Sequence, residues 1–124
     1  MAYQLSFQST HQYLHATVTG ENTRENISGY LGDVIRKCRE DQIQKLLIEE
    51  RLTGPRLGFI DLYNLAEEGS HRDLGVLKRI AYVDVFAEKS GDMHFVETVS
   101  VNRAVPVRVF MTVDEARDWL ISES

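Results

Sequence analysis

Two short segments of strict alternation open the chain. Over residues 3–8, Tyr3, Leu5 and Phe7 point one way and Gln4, Ser6 and Gln8 the other. After the polar Ser9-Thr10-His11-Gln12, the stretch from Tyr13 to Thr19 repeats the pattern, with Leu14, Ala16 and Val18 on one face. Such segments joined by a short polar loop predict an antiparallel hairpin, which Gly20 ends. The period then lengthens to that of a helix. Ile27, Tyr30, Leu31, Val34, Ile35 and Cys38 fall on one stripe, and Asn22 or Thr23 is placed to cap it. Gly29 and Gly32 lie beside the stripe and cost roughly 1 kcal/mol each against alanine. Their small size suits a close approach to a sheet.

Strands and helices alternate from there on. Lys45 to Glu49 reads as a buried strand, and the Thr53-Gly54-Pro55 turn predicts a second helix from about Leu57. Pro55 is expected in its first turn, where no N–H bond is lost. Gly69 and Ser70-His71-Arg72-Asp73 end that helix. Arg79 to Phe86 predicts a strand, residues 87–91 a loop, Asp92 to Asn102 a third helix, and Pro106 the start of a last strand. Thr112-Val113-Asp114-Glu115 has the spacing of a capping box, and Val113, Ala116, Trp119 and Leu120 form the buried face behind it. No internal repeat or linker interrupts residues 1–124. The order β-β-α-β-α-β-α-β-α predicts a single α/β domain. An N-terminal hairpin leads into alternating units, a mixed but mostly parallel five-stranded sheet with about four helices and right-handed crossovers.

Composition narrows the partners. A hydrophobic content of 43% is that of a globular chain. A net charge of −5 without a run of basic residues argues against nucleic acid, whose phosphates need a basic face. Every apolar run is far shorter than the roughly 20 residues that span a bilayer, so no transmembrane segment is expected. Met1 to Gln4 lead straight into a strand pattern, so no signal peptide is expected either. One cysteine, Cys38, has no internal disulfide partner, which fits a reducing compartment and a cytoplasmic location.

The chain resembles the SpoIIAA-like proteins, which include STAS domains of anti-sigma-factor antagonists and share a fold with Sec14/CRAL-TRIO lipid carriers. The residues that carry the resemblance are Lys78-Arg79-Ile80-Ala81-Tyr82-Val83, Val107-Arg108-Val109-Phe110 and Asp114 to Leu120. They are core and capping positions, so they speak for fold more than for mechanism. The resemblance implies a phosphorylated serine in an Asp-Ser-(Ser/Thr)-Gly turn after the third strand. Here the matching stretch is Glu50-Arg51-Leu52-Thr53-Gly54-Pro55-Arg56, which lacks the acidic-serine pair and leaves Thr53 as its one hydroxyl.

Candidate chemistry is sparse. His11 and His15 are four apart on an extended segment, about 13 Å at 3.3 Å per residue, too far to share an ion. His71 and His94 are isolated from other ligand types at metal spacing, so no metal and no cofactor are expected. Cys38 sits on the apolar stripe and reads as a buried thiol, and Ser70 to Asp73 as a solvated loop. Ligands of open parallel sheets bind beyond the strand C-termini. That edge is expected to gather Glu50, Arg51, Thr53, Arg56, Asp84 and the Ser90-Gly91 turn, with Glu50 and Asp84 as an acid/base pair if the protein were an enzyme.

The second helix is more informative. Leu57, Phe59, Ile60, Leu62, Tyr63, Leu65 and Ala66 spread beyond one stripe, and Asp61, Asn64 and Glu68 leave a narrow polar edge. One sheet face does not need so wide an apolar surface. The leading expectation is therefore a non-catalytic regulatory or binding domain that meets a protein partner or a second copy of itself. Leu57, Phe59, Ile60 and Tyr63 would make the contact, with Arg56 at its rim. The alternative is a carrier or sensor of a small lipophilic molecule, with the same helix as a lid that can meet a membrane.

Overall fold

In the computed structural model, residues 3–55, 57–86, 97–100, 102 and 105–122 are described, apart from the side chain of Phe59. The elements are β1 (Tyr3–Ser9), β2 (Leu14–Glu21), α1 (Arg24–Glu40), β3 (Lys45–Thr53), α2 (Phe59–Ser70), β4 (Arg79–Asp84), α3 (helical at residues 97–100 and 102), β5 (Val107–Phe110) and α4 (Val113–Ile121). They form the expected α/β fold. One five-stranded sheet runs β1-β2-β3-β4-β5 in chain order, antiparallel between β1 and β2 and parallel elsewhere.

Thr10 organises the hairpin. Its hydroxyl accepts from the amides of Gln12 and Tyr13, and its own amide donates to the Tyr13 carbonyl at 2.9 Å. Thr23, rather than Asn22, caps α1 by accepting from the Asn26 amide at 3.1 Å. At the other end of α1, Gln42 takes a positive φ of 54° while Ile43 donates to Cys38 and Gln42 to Arg39. This is the Schellman closure, in a position where glycine is usual.

Alternation along the strands divides the core in two. Leu14, Ala16, Val18, Leu46, Ile48, Leu52 and Ile80 face α1 and α2. Leu47, Ala81 and Val83 point the other way and pack on Ala116 and Leu120 of α4. A sheet wound in chain order by crossovers of one hand keeps its crossover helices on one face. Among the described helices, α4, which follows the last strand, is the one that covers the second. Thr112 caps it by accepting from the Glu115 amide at 3.2 Å, and its hydroxyl donates to the Glu115 carboxyl. Arg79 secures the far end, donating to the Trp119 carbonyl at 2.6 Å with its guanidinium over the Trp119 ring.

β2 runs through Gly20 to Glu21 and β5 starts at Val107 rather than Pro106, and three further boundaries differ from the sequence expectation in ways that bear on the site. β3 continues four residues past Glu49 to Thr53, because Asn22 and the hairpin strand extend its pairing; the Asn22 amide donates to the Thr53 carbonyl at 2.7 Å. α2 starts at Phe59, so Leu57 precedes the helix and Pro55 lies outside its first turn. Pro55 instead offers its carbonyl to the buried Asn22 side chain at 2.8 Å. Gly58 is the N-cap and makes no side-chain capping bond, so tertiary packing rather than a local signal sets the start of α2. β4 stops at Asp84, whose carboxylate accepts from the Phe86 amide and turns the chain. The expected loop at 87–91 and residues 92–96 of the expected third helix lie outside the described residues.

Candidate functional site

α2 has two working faces. Inward, Leu65 and Ala66 are buried and Leu62 is half-buried. Outward, Ile60 is 78% exposed and Tyr63 41%. Positions three apart are neighbours on a helix surface, so these two form one apolar spot. Leu57 does not belong to it, since it is half-buried and packs on the core beneath α1 and α2. Phe59 is in the first turn of α2, and its side chain lies outside the described residues.

Beneath the inner face lies a cavity of about 120 Å³. Its walls are Ile27, Leu31 and Ile35 of α1, Leu62, Leu65 and Ala66 of α2, and the sheet residues Ile48, Ile80, Tyr82, Val107 and Val109. Native interiors hold few voids larger than a water.

Arg72 closes one side of the cavity. Its Nη2 donates to the Glu68 carboxylate at 2.9 Å and to the Ser28 carbonyl at 3.1 Å, so it ties the end of α2 to α1. Gly32 makes room for it, because a Cβ there would sit 3.2 Å from Nη1. The enclosed Nε–H has no acceptor among the described residues. The tetrapeptide read as a solvated loop therefore contributes a wall. Ser70 donates to the Glu67 carbonyl and Asp73 accepts from the Gly75 amide, so these triad residue types do not converge. His71 does have a carboxylate nearby, Glu67 at 3.6 Å on the exposed helix surface.

The expected strand-end crevice comes apart into two faces. Glu50 and Asp84 are register partners on β3 and β4, and both are buried. Glu50 is 1% exposed, and the phenols of Tyr30 and Tyr82 both donate to its Oε2. Burial, reinforced by the Glu50 carboxyl, pushes both phenols well above 10.0, which keeps them as donors. Arg51 turns to the opposite face, where it pairs with Glu49, and His15 Nε2 lies 2.8 Å from the other oxygen of Glu49. Thr53 is exposed at the end of β3, its hydroxyl donating to the Gly20 carbonyl at 3.2 Å. Arg56 and the Ser90-Gly91 turn lie outside the described residues.

The Tyr30–Glu50–Tyr82 cluster and the role of Arg72 escaped the sequence reading. A signal for the first exists, since alternation with Leu46, Ile48 and Leu52 places Glu50 on the core face, where a carboxyl needs donors. Arg72 leaves no such trace, because its wall position depends on how α2 packs. No described helix is long and apolar enough to cross a membrane. No protein-family model and no curated protein sequence matches the chain.

Proposed function

We propose that this chain is a non-catalytic, SpoIIAA/STAS-like regulatory domain that binds a protein partner, or a second copy of itself, through the outer face of α2. The observation that carries this reading is the exposure of Ile60 beside Tyr63 on a helix whose inner side already meets the core. The helix thus presents Ile60 and Tyr63 as apolar surface on its outer face. Light scattering tests it: wild-type mass above that of one chain at high concentration, falling to one chain in Ile60→Asp and Tyr63→Asp, is the expected result. A wild type that stays at single-chain mass and retains no cellular protein removes the proposal.

A second reading is favoured by the cavity: a carrier or sensor of a small lipophilic molecule. Its lining, mostly apolar side chains with few polar groups, has the character of ligand sites. Native mass spectrometry of protein purified from cells should then show an added small mass that organic solvent releases. A clean mass of the bare chain counts against it.

A further inference from the structure

We infer that β1 pairs edge to edge with β1 of a second copy of this chain, antiparallel about a two-fold axis at Ser6, so that one continuous sheet runs through both molecules. This surface is separate from the outer face of α2, and it stands or falls separately.

The two edges of the sheet differ. β5 has four residues, with Pro106 directly before it and an exposed Arg108 within it. Short length, proline and charge are devices that keep an edge from pairing. β1 has none of them. Its seven residues, Tyr3–Ser9, contain no charge, proline or glycine, and they pair with β2 in unbroken register. At the hairpin end the Thr10 amide donates to the Tyr13 carbonyl. Bonded pairs alternate along an antiparallel ladder, so Gln8, Ser6 and Gln4 turn their backbone groups toward β2. Tyr3, Leu5, Phe7 and Ser9 turn theirs outward, where no strand among the described residues meets them.

A second copy fits that row because the strand is self-complementary. Antiparallel pairing about Ser6 uses all seven residues and joins the outward groups of Leu5 to those of Phe7, and of Tyr3 to those of Ser9. Leu5 packs on the core, while Phe7 is exposed. Across the axis each Phe7 gains the other copy's Leu5 on the same face of the sheet. On the opposite face Gln4 meets Gln8, whose side-chain amides can donate to and accept from one another. Nearby charges do not oppose the approach. Above the strand, α1 carries Asp33 matched by Arg36 and Lys37 matched by Asp41.

Cysteine placement in the full chain tests this. A pair on the axis at Ser6 is a non-bonded antiparallel pair with Cα atoms about 4.5 Å apart, within reach of a disulfide. In the same register Gln4 and its counterpart are offset by four residues, roughly 13 Å, which is beyond that reach. Cys38 is buried, so the wild type serves as the blank. Under mild oxidation Ser6→Cys should shift to two-chain mass on a non-reducing gel, with or without Ile60→Asp, while Gln4→Cys should stay at one chain. Adding Phe7→Lys, at an exposed position, to Ser6→Cys should remove the link and leave the circular dichroism unchanged. Linking of Gln4→Cys as readily as Ser6→Cys overturns the pairing about Ser6, and so does a link that survives Phe7→Lys. A Ser6→Cys chain that stays at one chain, or that links in cells to a different protein and not to itself, overturns the second copy as occupant. These outcomes leave the α2 reading standing. Loss of the link in Ile60→Asp alone would mean that α2 brings the copies together, and it overturns β1 as a contact in its own right.

Discussion

Tyr82 on β4 reaches across to Glu50 on the neighbouring strand and donates its phenol to a carboxyl oxygen that Tyr30 of α1 also uses. One buried oxygen thus joins the sheet to the helix above it, at the C-terminal end of the parallel strands. Either phenol alone can hold that oxygen, whereas loss of both strips it of these two donors. Tyr30→Phe and Tyr82→Phe are each expected to lower stability by about 1 kcal/mol, the net worth of one hydrogen bond while the second donor remains. The double variant should lose more than the sum of the two. Urea unfolding of the four proteins measures it, and strict additivity would sink the shared-acceptor account.

Gln42 offers a gain instead of a loss. Its φ of 54° puts an L-residue in the left-handed region at the end of α1, on an exposed side chain. That conformation costs an L-residue roughly 1–2 kcal/mol, and glycine gives part of the saving back through a freer unfolded chain. Gln42→Gly should therefore stabilise by about 0.5–1 kcal/mol. A lower urea midpoint in the variant contradicts this.

The buried thiol sets an alkaline limit. Burial, and next the nearby Asp41, push Cys38 from 9.0 up to about 12 against the opposing pull of Lys37. A group raised in the folded state contributes stability that is complete below its unfolded value and is lost as pH climbs toward the folded one. Stability should therefore fall from pH 9 upward, and Tyr30 and Tyr82 steepen the loss above 10.0. Cys38→Ala should show a shallower alkaline limb. At neutral pH a thiol reagent should label the wild type only as fast as the chain opens.

The fold was legible because its signals are local and periodic. The alternation in Tyr3 to Phe7, the helical stripe from Ile27 to Cys38 and the capping box at Thr112 each act over a few residues, and the structure forms the strand, the helix and the cap there, with Phe7 exposed near the end of β1. The start of α2 was not legible, since Gly58 supplies no capping side chain and packing sets the boundary. Within the candidate site, period 3.6 separated the outward Ile60 and Tyr63 from the inward Leu65 and Ala66 only once the helix had a sheet beneath it. Arg51 was misplaced for a different reason. Adjacent residues on a strand point to opposite faces, so Arg51 cannot share a crevice with Glu50, and it joins Glu49 instead.

That opposite face carries an acid-sensitive pair. Burial pushes the Glu49 carboxyl up, but the hydrogen bonds from Arg51 and His15, and their charges, outweigh it and hold the group below 4.5. A depressed folded value means stability that is present above 4.5 and is lost as pH falls through the folded pKa. Glu49→Gln removes the titrating group, so its stability should change less across this acid range than that of the wild type. Arg51→Met should act differently. It keeps the carboxyl and removes its largest favourable partner, so the acid loss should begin at higher pH. Urea midpoints taken from neutral pH downward separate these outcomes: superimposable acid limbs for the wild type and Arg51→Met would mean that Arg51 does not hold the Glu49 charge in place.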